Sequence, residues 1–335
     1  MKILVTGVAG FIGMHVARYL LARGNTVVGL DNLNDYYDPA LKQGRLQVLS
    51  SFPAFRFVKG DLSNRPLMAE LFAQGEFDGV VHLAAQAGVR YSVTNPHVYA
   101  ESNLEGFLNI LEGCRQTRVA HLVYASSSSV FGGNKLMPFS ESHSVDHPIS
   151  LYAATKRANE LMAHSYSHLY DIPVTGLRFF TVYGPWGRPD QSLFLFLSAM
   201  LADKPIKVFN QGKMRRDFTY IDDIVEGVVR VLDKPATPDP SFNPLNPLPE
   251  ISQAPFRVFN IGNSNPVPLM EFISAIEEAT GIVAKKDFLP MQAGDVEETF
   301  ADTCLLENWV GFKPSTMVRD GVSQFVKWYR DFYKI

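Results

Sequence analysis

The chain predicts an α/β fold: a doubly wound parallel sheet followed by a smaller, mixed α/β region. Three observations carry this. An apolar run at the N-terminus ends in closely spaced glycines that open a helical pattern. Apolar runs of strand length then alternate with helical stretches as far as Phe179. Beyond about residue 180 the alternation weakens.

In chain order, Lys2-Ile3-Leu4-Val5-Thr6 is apolar throughout, as in a strand buried on both faces. Gly7, Gly10 and Gly13 follow, and Met14, Val16, Ala17, Leu20 and Leu21 recur at helical spacing up to Gly24. Glycines in this setting permit a tight turn, backbone approach to a pyrophosphate, and close helix–strand packing. The unit therefore predicts dinucleotide binding, with the amides around Phe11 and Ile12 facing phosphate. The second strand, over 26–30, ends at Asp31, about 20 residues on from the glycine turn. A carboxylate there accepts from a ribose 2′-hydroxyl and repels a 2′-phosphate, which favours NAD over NADP. Neighbouring Asn32 extends that end of the site.

A third strand over 55–58 closes with Gly60-Asp61-Leu62, placed to contact adenine. The fourth, over 80–85, ends in Leu83, Ala84 and Ala85, small enough beside Gln86 to admit the middle of a cofactor. His82 interrupts that apolar run and reads as a core histidine. Arg90, in the next loop, can meet an anionic ligand or form a surface salt bridge. A helix over 96–116 leads to a fifth strand over 121–125, which runs into Ser126-Ser127-Ser128-Ser129. Hydroxyls at the carboxyl end of a buried strand need partners, and in an open α/β sheet that end is where ligands bind.

Tyr152-Ala153-Ala154-Thr155-Lys156 comes next. At i and i+4 the two side chains share one helix face. A nearby ammonium favours phenolate, so Lys156 is expected to lower the Tyr152 pKa and fit it for proton transfer beside a nicotinamide. A sixth strand spans 173–179. Thereafter a helix over 193–201, a short strand over 206–209, a charged strand over 215–221 and a helix over 223–232 capped by Asp222 are expected. Residues 235–255 are crowded with prolines and read as an exposed loop. A strand over 257–261 returns to the sheet, and helices over 269–280 and 318–329 finish the chain.

Composition bounds the function. With 335 residues, 46% hydrophobic and 19% charged, the chain is ordinary for a globular protein. A net charge of −3 offers no basic surface for nucleic acid. No apolar run is long enough to span a membrane, and no cleavage-site pattern follows the N-terminal strand. Cys114 and Cys304 read as free thiols of a reducing, cytoplasmic compartment. No metal is expected.

At Gly7 to Gly13, Ser127, and Tyr152 with Lys156, the chain resembles the extended short-chain dehydrogenase/reductases, which are NAD-dependent nucleotide-sugar enzymes with a Rossmann core. Asp31-Asn32-Leu33-Asn34-Asp35-Tyr36-Tyr37-Asp38, Ala87-Gly88-Val89-Arg90-Tyr91-Ser92, 177–190, 216–223 and 291–296 make it most similar to the UDP-glucuronate 4-epimerases. The resemblance implies an NAD-binding domain of residues 1–180 with returning segments near 219–234 and 256–262. The UDP-sugar domain would comprise 181–218 and 263–335. It makes Tyr152 the acid/base, Lys156 its orienting partner and Ser127 a sharer of the 4-hydroxyl proton. Asn103 would lie near the cofactor. Arg216 and Asp295 would hold the nucleotide's phosphates and ribose, and Val208 and Asn210 would line the uracil pocket. Thr181, Arg188 and the serines Ser128 and Ser129 would take the sugar carboxylate, an arginine being able to grip it bidentately. It also implies a homodimer through the helix over 96–116 and the one carrying Tyr152.

The implied reaction inverts C4 of UDP-glucuronate through a 4-keto sugar. Alternatives are a UDP-glucuronate decarboxylase, a neutral UDP-hexose 4-epimerase and, more remotely, a non-catalytic NAD-binding regulator. Dehydration lacks support: the acid pair that expels a 6-hydroxyl would stand at Ser128 and Ser129.

Overall fold

The computed structural model describes residues 1–292 and 296–335. In chain order the first half comprises β1 (Lys2–Thr6), α1 (Phe11–Ala22), β2 (Thr26–Asp31), α2 (Pro39–Ser50), β3 (Phe55–Lys59), α3 (Arg65–Gly75) and β4 (Gly79–His82). Two single turns, α4 (Tyr91–Thr94) and α5 (His97–Tyr99), then lead through a π-helical segment into α6 (Gly106–Thr117). The expected helix over 96–116 thus forms, continuous in right-handed helical backbone but widened to a π-helical turn over Ala100–Glu105. β5 (His121–Ser127), α7 (Leu151–Tyr170) and β6 (Val174–Phe179) follow.

β7 (Thr181–Tyr183), α8 (Ser192–Leu201), β8 (Ile206–Val208), β9 (Arg215–Tyr220), α9 (Ile221–Leu232) and β10 (Phe256–Ile261) continue the chain. β11 (Pro266–Pro268), α10 (Leu269–Thr280), β12 (Lys286–Phe288), α11 (Cys304–Val310) and α12 (Val318–Tyr333) complete it.

The main sheet runs β3-β2-β1-β4-β5-β6-β10, with every neighbouring pair parallel. Its strands are nearly all apolar because helices cover both faces. The buried side chains of α1, α8, α9, α10 and α12 pack in one apolar cluster, and those of α3, α6 and α7 in another. The chain moves from β1 outward to β3, then returns to β4 on the other side of β1. That reversal leaves a crevice at the carboxyl ends of β1 and β4. Gly7 lies in it at φ +68°, and a Cβ there would stand 2.7 Å from the Ala84 amide nitrogen.

The returning strand is β10, paired with β6. α9 packs on α1, with Tyr19 Oη donating to Glu226 at 2.6 Å and Arg23 pairing with Asp233 at 2.8 Å. The smaller region holds a three-stranded sheet, β11-β9-β7, and the parallel pair β8-β12. Asp222 does not cap α9. The helix starts one residue earlier, at Ile221, which puts Asp222 inside the first turn, where its charge meets the helix dipole. Both cysteines are free, Cys114 buried and Cys304 exposed. Among the described residues no helix is long and apolar enough to cross a membrane.

Candidate active site

A cleft of about 500 Å³ runs along the carboxyl ends of the parallel strands. Its lining includes Gly7, Gly10, Phe11, Ile12, Gly13, Asp31, Asn32, Asp61, Leu62, Leu83, Ala84, Ala85 and Gln86. Ser127, Ser128, Ser129, Tyr152, Lys156, Thr181 and Arg188 line the remainder. Most of the residues chosen from sequence therefore share one cavity.

At one end the acidic groups are held by local turns. Asp31 accepts from the amides of Ala9 (3.1 Å) and Leu33 (2.9 Å), tying β2 to the glycine turn. Asp61 accepts from Asn32 (2.7 Å) and from the Ser63 amide and hydroxyl. Burial opposes its charge, but these donors outweigh burial and hold its pKa below the usual carboxylate value. In the middle, glycine is required. A Cβ on Gly13 would lie 2.1 Å from the Gly7 carbonyl oxygen, and one on Gly10 would lie 2.8 Å from it. The first amides of α1 have no partner within the helix and open toward the cleft. An elongated cavity, a glycine cradle at a helix N-terminus and an acidic end fit NAD.

At the other end stands Tyr152. Ser150 caps α7, accepting from the Ala153 amide at 3.1 Å, and so starts the helix just before the tyrosine. Burial raises the Tyr152 pKa, while a hydrogen bond with Ser127 and the charge of Arg188 pull it down, with a net rise. Lys156 acts elsewhere: its Nζ donates to the Ala125 carbonyl at 2.8 Å, and burial lowers its pKa to about 8. The expectation that Lys156 lowers the phenol's pKa is thus corrected. The cation that does so is Arg188, more than thirty residues along the chain.

Arg188 is itself engaged. Its Nε and terminal nitrogen meet Asp190 at 3.0 and 2.7 Å, and Tyr36 donates to the same carboxylate at 3.1 Å. Burial works against the Arg188 charge, yet Asp190 keeps it firmly protonated. The fork expected to grip a sugar carboxylate is therefore already shared with an internal one.

Other expectations need correction. Asn103 does not line the cleft. Its amide is spent on Gln86, accepting from the amide nitrogen (2.8 Å) and donating to the carbonyl (3.1 Å), and on Thr155 (3.1 Å). It shapes the Gln86 loop from behind. Val208 is fully buried in the apolar core, while the alternate residue Lys207 of β8 faces solvent. Asn210 closes its own turn by donating to Lys213, and Arg90 lies over the Phe209 ring, both outside the cleft lining. Arg216 lines a smaller adjoining cavity of about 150 Å³ with Ser128, Ser129 and Thr181, and donates to the Val296 carbonyl at 2.6 Å. Asp295 lies outside the described residues. His82 is a core residue: Thr6 meets its Nδ1 at 2.8 Å, and burial holds it neutral.

Sequence reasoning passed over Tyr36, Lys42 and Gln191, which also line the cleft. Lys42 donates to Asn34 through both the side-chain oxygen (2.6 Å) and the carbonyl (2.8 Å). For Tyr36 the signal was the stretch 31–38, of which sequence reasoning names only Asp31 and Asn32 as site residues; Lys42 and Gln191 carry no local signal.

Fold and site together define a dinucleotide-dependent enzyme of the extended short-chain dehydrogenase/reductase class. The profile of the NAD dependent epimerase/dehydratase family matches residues 3–247, and the chain belongs to that family. An Escherichia coli O111:H- relative, "Uncharacterized 37.6 kDa protein in cld 5'region", is 61% identical over the full length of both chains. A Rhizobium meliloti protein described as "Probable UDP-glucuronate 4-epimerase" is 48% identical over 100% of this chain and 98% of its own. Among solved structures, a Bacillus cereus UDP-glucuronic acid 4-epimerase in complex with UDP-glucuronic acid and NAD superposes with a TM-score of 0.86. It is 33% identical, with 99% of this chain and 100% of that one covered.

Proposed function

We propose that this chain is an NAD-dependent UDP-glucuronate 4-epimerase, producing UDP-galacturonate. The carrying observation is that Tyr152, Ser127, Lys156 and Arg188 line one end of the same cleft that the glycine turn also lines. Tyr152 takes the proton of the sugar 4-hydroxyl and later returns it, and Ser127 shares that proton. Bound NAD supplies the acceptor, and then the donor, of the C4 hydride. Lys156 braces the strand end beneath the serines. The 4-keto sugar turns over in the adjoining cavity before reduction from the opposite face.

A 4-ketone places the C5 carboxylate β to a carbonyl, so carbon dioxide is easily lost. Ser128, Ser129 and Thr181 are donors suited to hold carboxylate charge, with Arg188 beside them, and charge held in place resists the dispersal that decarboxylation needs. Relatives named for UDP-glucuronate and aligned over nearly the whole chain support this substrate. The second reading is a neutral UDP-hexose, favoured by the pairing of Arg188 with Asp190.

Arg216, Asp295, Val208 and Asn210 would serve the nucleotide end, with Val208 contributing only backbone. The substrate domain comprises 181–218 and 263–335 in this reading. Leu108 on α6 and Leu161, Leu169 and Tyr170 on α7 are exposed apolar groups, which supports a homodimer through those helices. A cytoplasmic setting accords with the free thiols. Product analysis after mixing purified protein with UDP-glucuronate, without added NAD, tests the reading. UDP-galacturonate supports it. A UDP-pentose, or turnover of UDP-glucose alone, defeats it.

A further inference from the structure

Arg45 is among the largest side chains with no solvent exposure, and it lies outside the cleft lining. Its guanidinium bridges two loops that the sequence keeps far apart. One terminal nitrogen donates to the Ala9 carbonyl of the glycine turn (2.9 Å) and to Tyr37 (2.6 Å). The other donates to the Trp186 carbonyl at 2.6 Å. Arg188 is two residues further on.

The turn before Arg188 is held in other ways from the same side. Trp186 sits at φ +62°, a left-handed conformation that a tryptophan keeps only when its surroundings enforce it. Its ring packs so tightly on α2 that a Cβ on Gly44 would stand 2.9 Å from it. From α1, His15 Nε2 donates to the Pro185 carbonyl at 3.0 Å; burial keeps that imidazole neutral. Burying an arginine among carbonyls is costly, so the contact must serve something besides packing.

We propose that Arg45 is a positioning residue, a strut between the glycine turn and the Arg188 loop that sets how close Arg188 stands to Tyr152. This rests on Tyr152 being the acid/base of the proposed reaction. Arg188 favours phenolate by its charge, so its distance sets its share of the phenol's acidity, beside burial and Ser127. The groups bearing on Tyr152 are Ser127 from β5, Tyr99 from α5 and Arg188, backed by Asp190 and Tyr36, while Lys156 from its own helix lines the same cleft but is turned to the Ala125 carbonyl. Of these, Arg188 and Asp190 sit on the loop that Arg45 holds through Trp186, and Tyr36 adjoins Tyr37, which Arg45 also holds.

The test reads Tyr152 directly, as the ultraviolet phenolate absorbance of NAD-loaded protein minus that of Tyr152→Phe, titrated with pH. In Arg45→Met the midpoint should rise by on the order of one pH unit. Arg45→Lys, which can reach one loop but not both, should restore part of it. His15→Leu, loosening the same turn from α1, should raise it less. A midpoint unmoved in folded Arg45→Met overturns the strut. If Arg45→Met does not fold, an unmoved midpoint in His15→Leu overturns it. Wild-type protein inactive on UDP-glucuronate would defeat the substrate reading, while the titration would still decide the strut.

Discussion

The Nζ of Lys156 donates to the carbonyl of Ala125 at 2.8 Å, so the ammonium braces the end of β5 two residues before Ser127. Burial lowers its pKa to about 8. The unfolded chain holds that proton up to about pH 10.5, so between these values unfolding takes up a proton, and the group's contribution to stability rises with pH. The stability of wild type relative to Lys156→Met should therefore climb from about pH 8 to about pH 10.5 in denaturant titrations. Turnover of the variant should fall on the order of a hundredfold, because the strand end that carries Ser127 loses its support.

Arg188→Ala removes the positive charge that helps Tyr152 ionise. Without it the phenol's pKa rises, so the ascending limb of kcat against pH should move upward by on the order of one unit. Affinity for the acidic sugar should drop, and the share of pentose among products should grow. Unchanged affinity and an unchanged epimer-to-pentose ratio would remove Arg188 from carboxylate binding. Asp190→Asn probes the same pair from the other side. It frees the arginine fork and should move the limb to lower pH.

Beneath the site, Glu160 takes the Arg178 guanidinium at 2.9 and 3.0 Å and the Ser126 hydroxyl at 2.6 Å, all fully buried. Glu160→Ala strands the Arg178 charge and should cost roughly 3–5 kcal/mol, read as a lower denaturation midpoint.

Glu141 is buried nearby with one carboxylate oxygen unpartnered, and burial raises its pKa to about 7. Because the folded value exceeds the unfolded one of about 4.5, this group's stability is full below about pH 4.5 and is lost as pH rises through about 7. Glu141→Gln should flatten that loss, leaving the variant relatively more stable at about pH 8 than at about pH 5. An identical pH profile in variant and wild type would show that the carboxyl does not titrate in this range.

Most of the sheet was legible because β1, β4, β5 and β6 are buried on both faces and are mostly apolar, the exceptions such as His82 and Arg178 being buried with polar partners. The cofactor half of the site was legible for a related reason: glycines at a strand-to-helix turn have few other uses. α2 was not, since the face it buries includes Lys42 and Arg45, which periodicity scores as solvated. Its cap was visible, with Asp38 accepting from the Ala40 amide and Pro39 opening the helix. The Tyr152–Lys156 spacing pointed to a helix that lines the cleft, but Arg188, which acts on the tyrosine through space, is recorded by no local spacing. Val208 and Asn103, given only by the resemblance, lie outside the cleft lining because a matching position does not reveal which way its side chain turns.

Two glycines separate close packing from backbone conformation. At Gly13 an added Cβ meets the Gly7 carbonyl at 2.1 Å and the Val8 Cα at 3.2 Å, all backbone, so nothing can yield without lifting α1 off β1. Gly13→Ala should lose NAD on purification and destabilise the fold by about 1–3 kcal/mol or more. Gly24, after the same helix, has φ +81° with nothing within 4 Å of the added atom. Gly24→Ala should cost about 1–2 kcal/mol from the left-handed backbone alone and retain NAD. Cofactor content measured from the absorbance of denatured protein, set beside Tm, distinguishes the two. Equal NAD loss in both variants would mean that α1 responds to stability in general and not to its fit against the glycine turn.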